Sequence, residues 1–456
     1  MVDTPIDPPR RAVRLHPGVS PLLQHAGWFC VFLLVAPTIG PRGYGLFLIA
    51  LSSIAICEAL LTEVGGAALV GLREVDDRHW STALVTLIAV GGAVWLLLYP
   101  IAGLVAVVFA EPSLHDLIRS LAILPLLGAL CVVPRAALHR EQREAPVAAA
   151  SAAGFAAGGA LAVALVWAGA GPWSLVAQII MQRLVECVVL WGMPGEGVGL
   201  TWSRRHFDEL AGAIRPQALA EVWPTASFHA SCFVVGLMLG PTAAGLYMLA
   251  MRLAAALANV FLAGMASAAP REIGERAFRA VLPAVLTSAL LPIALPPLID
   301  VRWWGAIWPA QILLLGAVPG AVGYLYAASA PGEGEPRWRA LQGFGSVAIL
   351  AFVAAQGLGG AAMAQLGCMT LVACIGLWSA RRWLWANRRA LLGPAARRCG
   401  GAIVAGVLLF GLANPVGLSL PPVPALCLLT ASGWLVYLVI RGEPSTPTRP
   451  LFALQV

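Results

Sequence analysis

The chain has 456 residues, of which 59% are hydrophobic and 11% charged, and its mean hydropathy is +0.83. Soluble globular domains carry about 25% charged residues, so this composition excludes that class and indicates a polytopic membrane protein. The net charge of +7 does not indicate a nucleic-acid partner, because the arginines are scattered among short loops and form no basic domain. The cysteines lie almost all inside apolar runs without metal-ligand spacing, so we expect no metal and no cofactor.

Apolar segments long enough to cross a bilayer follow one another along the chain, and we predict about fourteen of them. Their approximate limits are 22–39, 44–70, 82–109, 117–134, 147–169, 173–192, 217–237, 243–267, 280–299, 310–329, 342–358, 361–380, 400–415 and 422–440. The last four are short or rich in glycine, which leaves twelve or thirteen crossings open. An even number is favoured, because the arginines then fall in alternate loops and mark the cytoplasmic side. Both termini are then cytoplasmic.

A short motif occurs once in each half of the chain. Residues 39–50 read IGPRGYGLFLIA and residues 239–250 read LGPTAAGLYMLA. A Gly-Pro break before a long apolar run is typical of a tight turn that precedes a membrane helix, although chance similarity of two apolar segments is an alternative. Six predicted crossings separate the copies, so they have the same orientation. We therefore predict two parallel six-helix halves related by a pseudo-twofold axis along the membrane normal, with the substrate site between them.

The predicted organisation has six parts. They are a cytoplasmic tail (1–21), an N-terminal lobe (22–192), a cytoplasmic linker (193–216), a C-terminal lobe (217–380), a further linker with two extra spans (381–440) and a cytoplasmic tail (441–456). The linker 193–216 indicates either a short amphipathic helix at the membrane interface or a solvated segment. In both cases no extramembrane segment is long enough to fold as a domain.

A few cationic residues fall inside predicted spans, where a charge needs a partner, water or a function. Arg183, Arg252 and His229 lie near mid-depth, and Asn259 shares a helix face with Arg252. These four residues are our candidates for substrate binding, in an aqueous cavity that receives a pyrophosphate, because a guanidinium binds phosphate oxygens bidentately. The alternatives are an Arg183–Glu186 pair at helical spacing, a salt bridge from Arg252 to another helix, and a packing role for His229.

Acidic residues within the predicted spans are also few. Glu58 and Glu63 both fall in the second span, but five residues place them on different faces of a helix. Glu63 is expected near the cytoplasmic end and exposed. Glu58 is deeper and is the candidate ion-coupling site, and Glu221, at the cytoplasmic entry of the seventh span, is the candidate gating residue.

Several segments resemble one family of membrane proteins. They are the Gly-Pro turn continued by Gly45-Leu46-Phe47, the loop from Pro134 to Arg143, the segment from Leu239 to Leu253, and the approach from Trp304 to Trp308. In order and over most of the chain, these resemble polysaccharide flippases of the Wzx type, in the multidrug/oligosaccharidyl-lipid/polysaccharide exporter superfamily. The resemblance implies an all-helical, V-shaped molecule of two six-helix lobes, with two extra spans, in the bacterial cytoplasmic (inner) membrane. Many relatives carry an acid in the seventh span where this chain has Ser231.

The resemblance implies that the chain translocates a polyprenyl-pyrophosphate-linked oligosaccharide by alternating access, and is not an enzyme. Expected partners are that lipid-linked substrate, membrane lipids, and the polymerase and glycosyltransferases of the same pathway. A cation or drug antiporter of the same superfamily is the first alternative. A membrane-embedded polymerase or glycosyltransferase is the second, although the predicted outer loops are short for such an enzyme.

Overall fold

The computed structural model describes residues 19–72, 74–193, 198–214, 216–262, 273–329, 357–379 and 381, and these residues are helices joined by short turns, with no strand among them. The predicted spans 400–415 and 422–440, the C-terminal tail, nearly all of the predicted span 342–358 and most of the N-terminal tail lie outside the described residues. The all-helical fold class is confirmed, whereas the number of crossings stays a prediction.

The described helices follow the order of the predicted spans. They are α1 (Val19–Ala59), α2 (Gly65–Gly71), α3 (Asp77–Val108), α4 (Ser113–Leu121), α5 (Leu124–Arg140), α6 (Glu144–Trp167), α7 (Trp173–Trp191), α8 (Arg204–Ala213), α9 (Pro216–Leu239), α10 (Pro241–Leu262), α11 (Ile273–Ala294), α12 (Ile307–Leu314), α13 (Ala317–Ser329) and α14 (Gly357–Ser379). Some spans contain two helices, α1 contains the first span and part of the second, and α8 lies in the linker. A π-helical turn, Leu60–Val64, joins α1 to α2, and a 3₁₀ turn, Val301–Ala306, precedes α12. Eight stretches in the described part are long and apolar enough to cross a membrane.

The repeated motif forms the predicted turn in both copies. Gly40 interrupts α1 with a φ of +68°, and Gly240 separates α9 from α10 with a φ of +87°. Residues with a side chain rarely adopt positive φ, so glycine is needed at both turns. Pro41 and Pro241 follow, and proline suits the first position of a helix because its missing N–H would have no helical partner there. Gly40 therefore divides the continuous apolar stretch Phe29–Gly71 into two helical parts, which agrees with the two crossings predicted there.

The two copies of the motif pack against each other at the centre of the described structure. Leu48 and Ile49 from the first copy and Tyr247 and Met248 from the second are fully buried in one apolar cluster. α1 lies against α10 and α9 along this contact. The sequence repeat thus corresponds to a structural contact between the two halves of the chain.

Small residues bring α6 and α7 close together. A Cβ on Gly154 would lie 2.5 Å from the carbonyl oxygen of Gln182, and a Cβ on Gly158 would lie 2.5 Å from that of Gln178. Glycine is therefore required at both positions of α6, as is common where membrane helices pack closely. This packing fixes the face of α7 that carries the polar residues described below.

Two segments outside the predicted spans contain helix. The predicted loop after the fourth span is helix as far as Arg140, so Arg135 belongs to α5 rather than to an exposed turn. The guanidinium of Arg140 donates to the carbonyl oxygens of Leu69 and Leu72, at 3.0 and 2.7 Å, which ties the end of α5 to the end of α2. In the linker, the amphipathic helix that was one of two alternatives is present as α8.

Candidate functional site

A cavity of about 730 Å³ lies between helices from both halves of the chain. Its walls come from the part of α1 that follows Gly40, from α5, α6 and α7, and from α9 and α10. The polar residues of the described lining are Tyr44, Arg135, His139, Ser151, Gln178, Gln182, Arg183, Glu186 and Arg252. Three arginines and one glutamate among them make the described lining cationic. Apolar side chains, among them Phe155 and Phe228, complete the walls.

One wall of the cavity carries a buried network of ion pairs. Arg183 lies 2.8 Å from Glu58 Oε1 and 3.1 Å from Glu186 Oε2. Glu186 Oε1 lies 2.5 Å from an Arg135 nitrogen and accepts a hydrogen bond of 2.7 Å from Ser151. Burying an unpaired charge costs several kcal/mol, so this arrangement of two arginines and two glutamates removes most of that cost by pairing. The predicted Arg183–Glu186 pair is confirmed, and Glu58 joins it.

The second half of the chain contributes Arg252 to the lining of the cavity. Its guanidinium carbon lies 5.8 Å from the centre of the Phe228 ring, within the range of a cation–π contact. The two sequence-predicted arginines therefore line a single cavity, although they come from α7 and α10. Guanidinium groups on two sides of a cavity can bind the same anionic group from both halves.

Aromatic rings close the cavity at its Tyr44 end. The ring of Tyr44 packs edge-on against Phe32 and Trp303, with centroids 5.6 Å away in both cases. Trp303 is fully buried and its indole N–H donates to the carbonyl oxygen of Ala36 at 3.3 Å. Trp303 belongs to the second half of the chain, so this cluster joins the halves above the cavity.

A polar contact lies next to the aromatic cluster, at the Tyr44 end of the cavity. Arg302 donates to the carbonyl oxygen of Pro37, beside the first Gly-Pro turn, and its guanidinium also binds Asp300 at 2.9 Å. Hydrogen bonds from the Arg302 side chain and backbone lower the pKa of Asp300 below its ordinary value of 3.8. The contact fixes the 3₁₀ turn of the second half against the first half.

The other end of the cavity reaches the partly exposed residues Arg135 and His139. These two residues are four apart on α5, so they share a helix face. Arg140, next to His139, binds Leu72, which lies 28 residues beyond Tyr44 along α1, the π-helical turn and α2. At about 1.5 Å per helical residue, Leu72 lies up to roughly 40 Å from Tyr44. The described lining thus runs from Tyr44 toward the partly exposed residues Arg135 and His139.

The structure places the remaining predicted site residues away from the described lining. His229 is buried and its Nδ1 lies 3.0 Å from the Ser52 hydroxyl, which agrees with the packing alternative. Asn259 is exposed on α10. Glu58 is buried behind Arg183, and Glu63 is exposed as expected. Glu221 lies on α9, but its side chain is outside the described part.

Sequence analysis missed Arg135, His139 and the glutamines of α7. Arg135 was assigned to a cytoplasmic loop because the fourth span was predicted to end at residue 134, which is in fact inside α5. The i, i+4 spacing of Arg135 and His139 was the signal that could have placed both on one helix face. Ser231, at the place of the acid found in relatives, donates to the Ser227 carbonyl oxygen at 2.7 Å and bonds its own helix.

Comparisons with known proteins agree with this architecture. A family model described as "Polysaccharide biosynthesis protein" matches residues 34–269, just over half of the chain. No curated protein sequence matches the chain.

Three solved structures share the fold. The lipid II flippase MurJ in an inward closed conformation aligns with a TM-score of 0.67 and 11% identity, over 93% of this chain and 96% of that one. An inward-facing multidrug resistance MATE family transporter of the MOP superfamily aligns with a TM-score of 0.61 and 15% identity, over 82% and 99%. A MOP superfamily transporter from Pyrococcus furiosus, described as having a binding pocket of reverse polarity, aligns with a TM-score of 0.51 and 14% identity, over 82% and 95%.

At these identities the structural similarity establishes the fold, which is that of a multi-pass membrane protein. The family model establishes the relationship of the sequence to its family. Both agree with the resemblance found in the residues. The chain therefore belongs to the polysaccharide biosynthesis protein family, and it has the helical fold seen in the MurJ and MATE structures.

Proposed function

We propose that the protein translocates a polyprenyl-pyrophosphate-linked oligosaccharide across the cytoplasmic membrane by alternating access. The observation that carries the proposal is the cationic cavity between the two halves of the chain, with three arginines and one glutamate in its described lining. A pyrophosphate is a compact dianion whose oxygens match the paired N–H groups of arginine. The match to a polysaccharide biosynthesis family supports a substrate from that chemistry.

The arginines have different tasks in this proposal. Arg135 and Arg183 are held by Glu58 and Glu186, so their positions are fixed by the network. Arg252 approaches from α10 in the other half, beside Phe228. A pyrophosphate between Arg183 and Arg252 would be bound by both halves at once, as alternating access requires of a central site.

The form of the cavity corresponds to an inward-facing state in the predicted topology. The arginine distribution of the sequence puts the His139 end on the cytoplasmic side. The opposite end is closed by Trp303, Tyr44 and Phe32. Substrate would enter from the His139 end, and separation of the aromatic cluster and of the two Gly-Pro turns would then expose the cavity to the other side.

The test compares substitutions at Arg252 with a matched arginine outside the described cavity lining. Arg119 on α4 also lies over an aromatic ring, 4.5 Å from the centroid of Tyr99. Binding of a polyprenyl pyrophosphate to the purified protein in detergent is measured first, and surface polysaccharide of complemented deletion cells second. A hydrogen bond to a charged group contributes about 1.5–3 kcal/mol, so Arg252→Ala should weaken binding roughly 10- to 150-fold. Arg252→Lys should lie between, and Arg119→Ala should match the wild type.

Two outcomes would contradict the proposal. If Arg252→Ala binds polyprenyl pyrophosphate as tightly as Arg119→Ala, the cavity does not hold the phosphates through this residue. If deletion cells keep normal surface polysaccharide but become sensitive to cationic drugs, the antiporter alternative is correct. A cationic lining disfavours that alternative, because like charges repel a cationic drug.

A further inference from the structure

A cluster of two histidines and a carboxylate lies away from the cavity, where the linker helix α8 docks against the start of α3. Its members are Asp76, His79 and His206, and one ligand atom from each lies within 4.8 Å of the others. Imidazole nitrogens and carboxylate oxygens are the ligands that Zn²⁺ and similar transition metals take in proteins. We propose that this cluster is a binding site for a divalent transition-metal cation, with three protein ligands and water.

The distances within the cluster are close to those of such a site. Asp76 Oδ1 lies 2.7 Å from His79 Nδ1, and Asp76 Oδ2 lies 3.5 Å from His206 Nε2. In a tetrahedral zinc site, with bonds of about 2.0–2.1 Å, neighbouring ligand atoms are roughly 3.3 Å apart. Small rotations of exposed Asp76 would open that spacing. A bound cation would take the place of the direct contact between His79 and Asp76, since metal ligands bind in their deprotonated form.

The outer nitrogen of each imidazole already has a hydrogen-bond acceptor. His79 Nε2 lies 2.9 Å from Glu209 Oε2, and His206 Nδ1 lies 2.8 Å from the Ser203 hydroxyl. In metal sites the ligating histidine usually donates its second ring N–H to a carboxylate or another oxygen, which fixes the tautomer and the ring orientation. Both histidines therefore present the correct nitrogen, Nδ1 of His79 and Nε2 of His206, toward Asp76.

Asp76 and His79 are held in place by the local fold. Asp76 caps α3, and its Oδ1 accepts a hydrogen bond of 2.9 Å from the His79 backbone N–H. The His79 side chain is buried, and its ring meets that of His206 edge-on with centroids 4.6 Å apart. Ligands from a capped helix start are preorganised, so little conformational entropy is lost on metal binding.

The cation would join two elements that the sequence predicts to have different roles. Asp76 and His79 belong to the start of a membrane helix, whereas His206 belongs to the linker between the predicted lobes. Hydrogen bonds from Gly199 and Ser203 backbone N–H groups to Ser81 and Thr82 already attach this linker to α3, at 3.0 and 3.3 Å. The sequence analysis expected no metal from the spacing of the cysteines. These two histidines are far apart in the chain and meet only after α8 docks.

The experiment titrates full-length protein, purified in detergent without a histidine tag, with Co²⁺ as a spectroscopic probe and then with Zn²⁺. One Co²⁺ per chain should bind, with visible absorption of a nitrogen and oxygen site and without the near-ultraviolet band of a thiolate site, and Zn²⁺ should displace it. Asp76→Asn and His206→Ala should lose binding, and Glu209→Gln should weaken it about 10- to 100-fold. Zn²⁺ should also raise the unfolding temperature of the wild type but not of Asp76→Asn.

A matched control is available on α4. His115 Nδ1 lies 2.9 Å from Asp116 in an exposed pair of the same two residue types, and His115→Ala should bind Co²⁺ like the wild type. The proposal fails if the wild type binds no Co²⁺, or if Asp76→Asn binds as tightly as His115→Ala. Asp76 is exposed, so its isosteric amide variant decides the matter even where His206→Ala does not fold.

Discussion

Gly45 and Gly245 lie face to face, and each contacts the proline in the other copy of the motif. A Cβ on Gly45 would lie 1.8 Å from the Pro241 carbonyl oxygen, and a Cβ on Gly245 would lie 2.1 Å from the Pro41 carbonyl oxygen. Each half thus makes the same contact with the other, which is the geometry that a twofold axis between the copies produces. This reciprocal contact supports the hypothesis of two parallel repeats, and composition alone could not have predicted it.

Alanine at either glycine should separate the two halves. Forcing an extra methyl group against a backbone carbonyl costs about 1–3 kcal/mol in a close-packed interior, so Gly45→Ala and Gly245→Ala should each lower the unfolding temperature in detergent and reduce export. Gly103 on α3 is a matched control, because a Cβ there meets no atom within 4 Å. Gly103→Ala should be neutral or stabilising. Equal stability of the three variants would show that the two turns do not pack as described.

Much of the fold was predictable because hydropathy and helix-breaking residues act locally. The turns at Gly40 and Gly240 and the order of spans through α10 follow from apolar length and a Gly-Pro pair. The cavity was predictable only in part. Arg183 and Arg252 stand out because a charge in an apolar span needs an explanation.

The rest of the site depends on contacts between helices that are distant in the chain. Glu58 meets Arg183 only after α1 and α7 pack, and Arg135 lies just past the predicted end of the fourth span, although α5 continues to Arg140. His79 and His206 likewise meet only when the linker folds back on α3. The periodicity of a single sequence does not indicate which distant helices will pack together.

Asp300 should make the closed end of the cavity sensitive to acid. Its pKa is lowered by hydrogen bonds from Arg302. The folded state therefore binds the proton less readily than the unfolded state, so the stabilisation is present at neutral pH and is lost as the pH falls from about 4 through the lowered pKa. Asp300→Asn should remove this dependence. Unfolding temperatures of both proteins between pH 7 and pH 3 provide the check, and parallel curves would show that the Asp300–Arg302 contact contributes nothing.

Glu186 should matter more to stability than Glu58. Glu186 is 3% exposed at its side chain and pairs with Arg135 and Arg183, whereas Glu58 is 11% exposed and pairs with Arg183 alone. Removing one partner of a buried ion pair costs about 3–5 kcal/mol, and water in the cavity should place these variants toward or below the low end. Glu186→Gln should therefore unfold at a lower denaturant concentration than Glu58→Gln. The reverse order would place the main ion pair at Glu58.

The orientation of the chain can be tested with reporter fusions. Fusions after Arg143 should report a cytoplasmic position, and fusions at Glu111, Thr242 and Asp300 should report the opposite side, because arginine-rich short loops remain inside. The structure adds a constraint, since Arg42 binds Glu111 at 2.7 Å and both must lie on one side. A cytoplasmic signal at two of the three outer positions would invert the inward-facing assignment of the cavity.

Glu58 should couple proton binding to substrate binding. Glu58 is paired with Arg183, which lines the cavity, so a substrate phosphate and the Glu58 carboxylate would compete for one guanidinium. Protonation of Glu58 would end that competition and release Arg183 to the phosphate, which would link proton binding to substrate binding in the thermodynamic sense. Glu58→Gln imitates the protonated form. In proteoliposomes, its substrate transport should therefore lose its dependence on an imposed proton gradient, while exposed Glu63→Gln should behave as the wild type. A Glu58→Gln protein whose transport still follows the gradient would remove this carboxylate from the coupling mechanism.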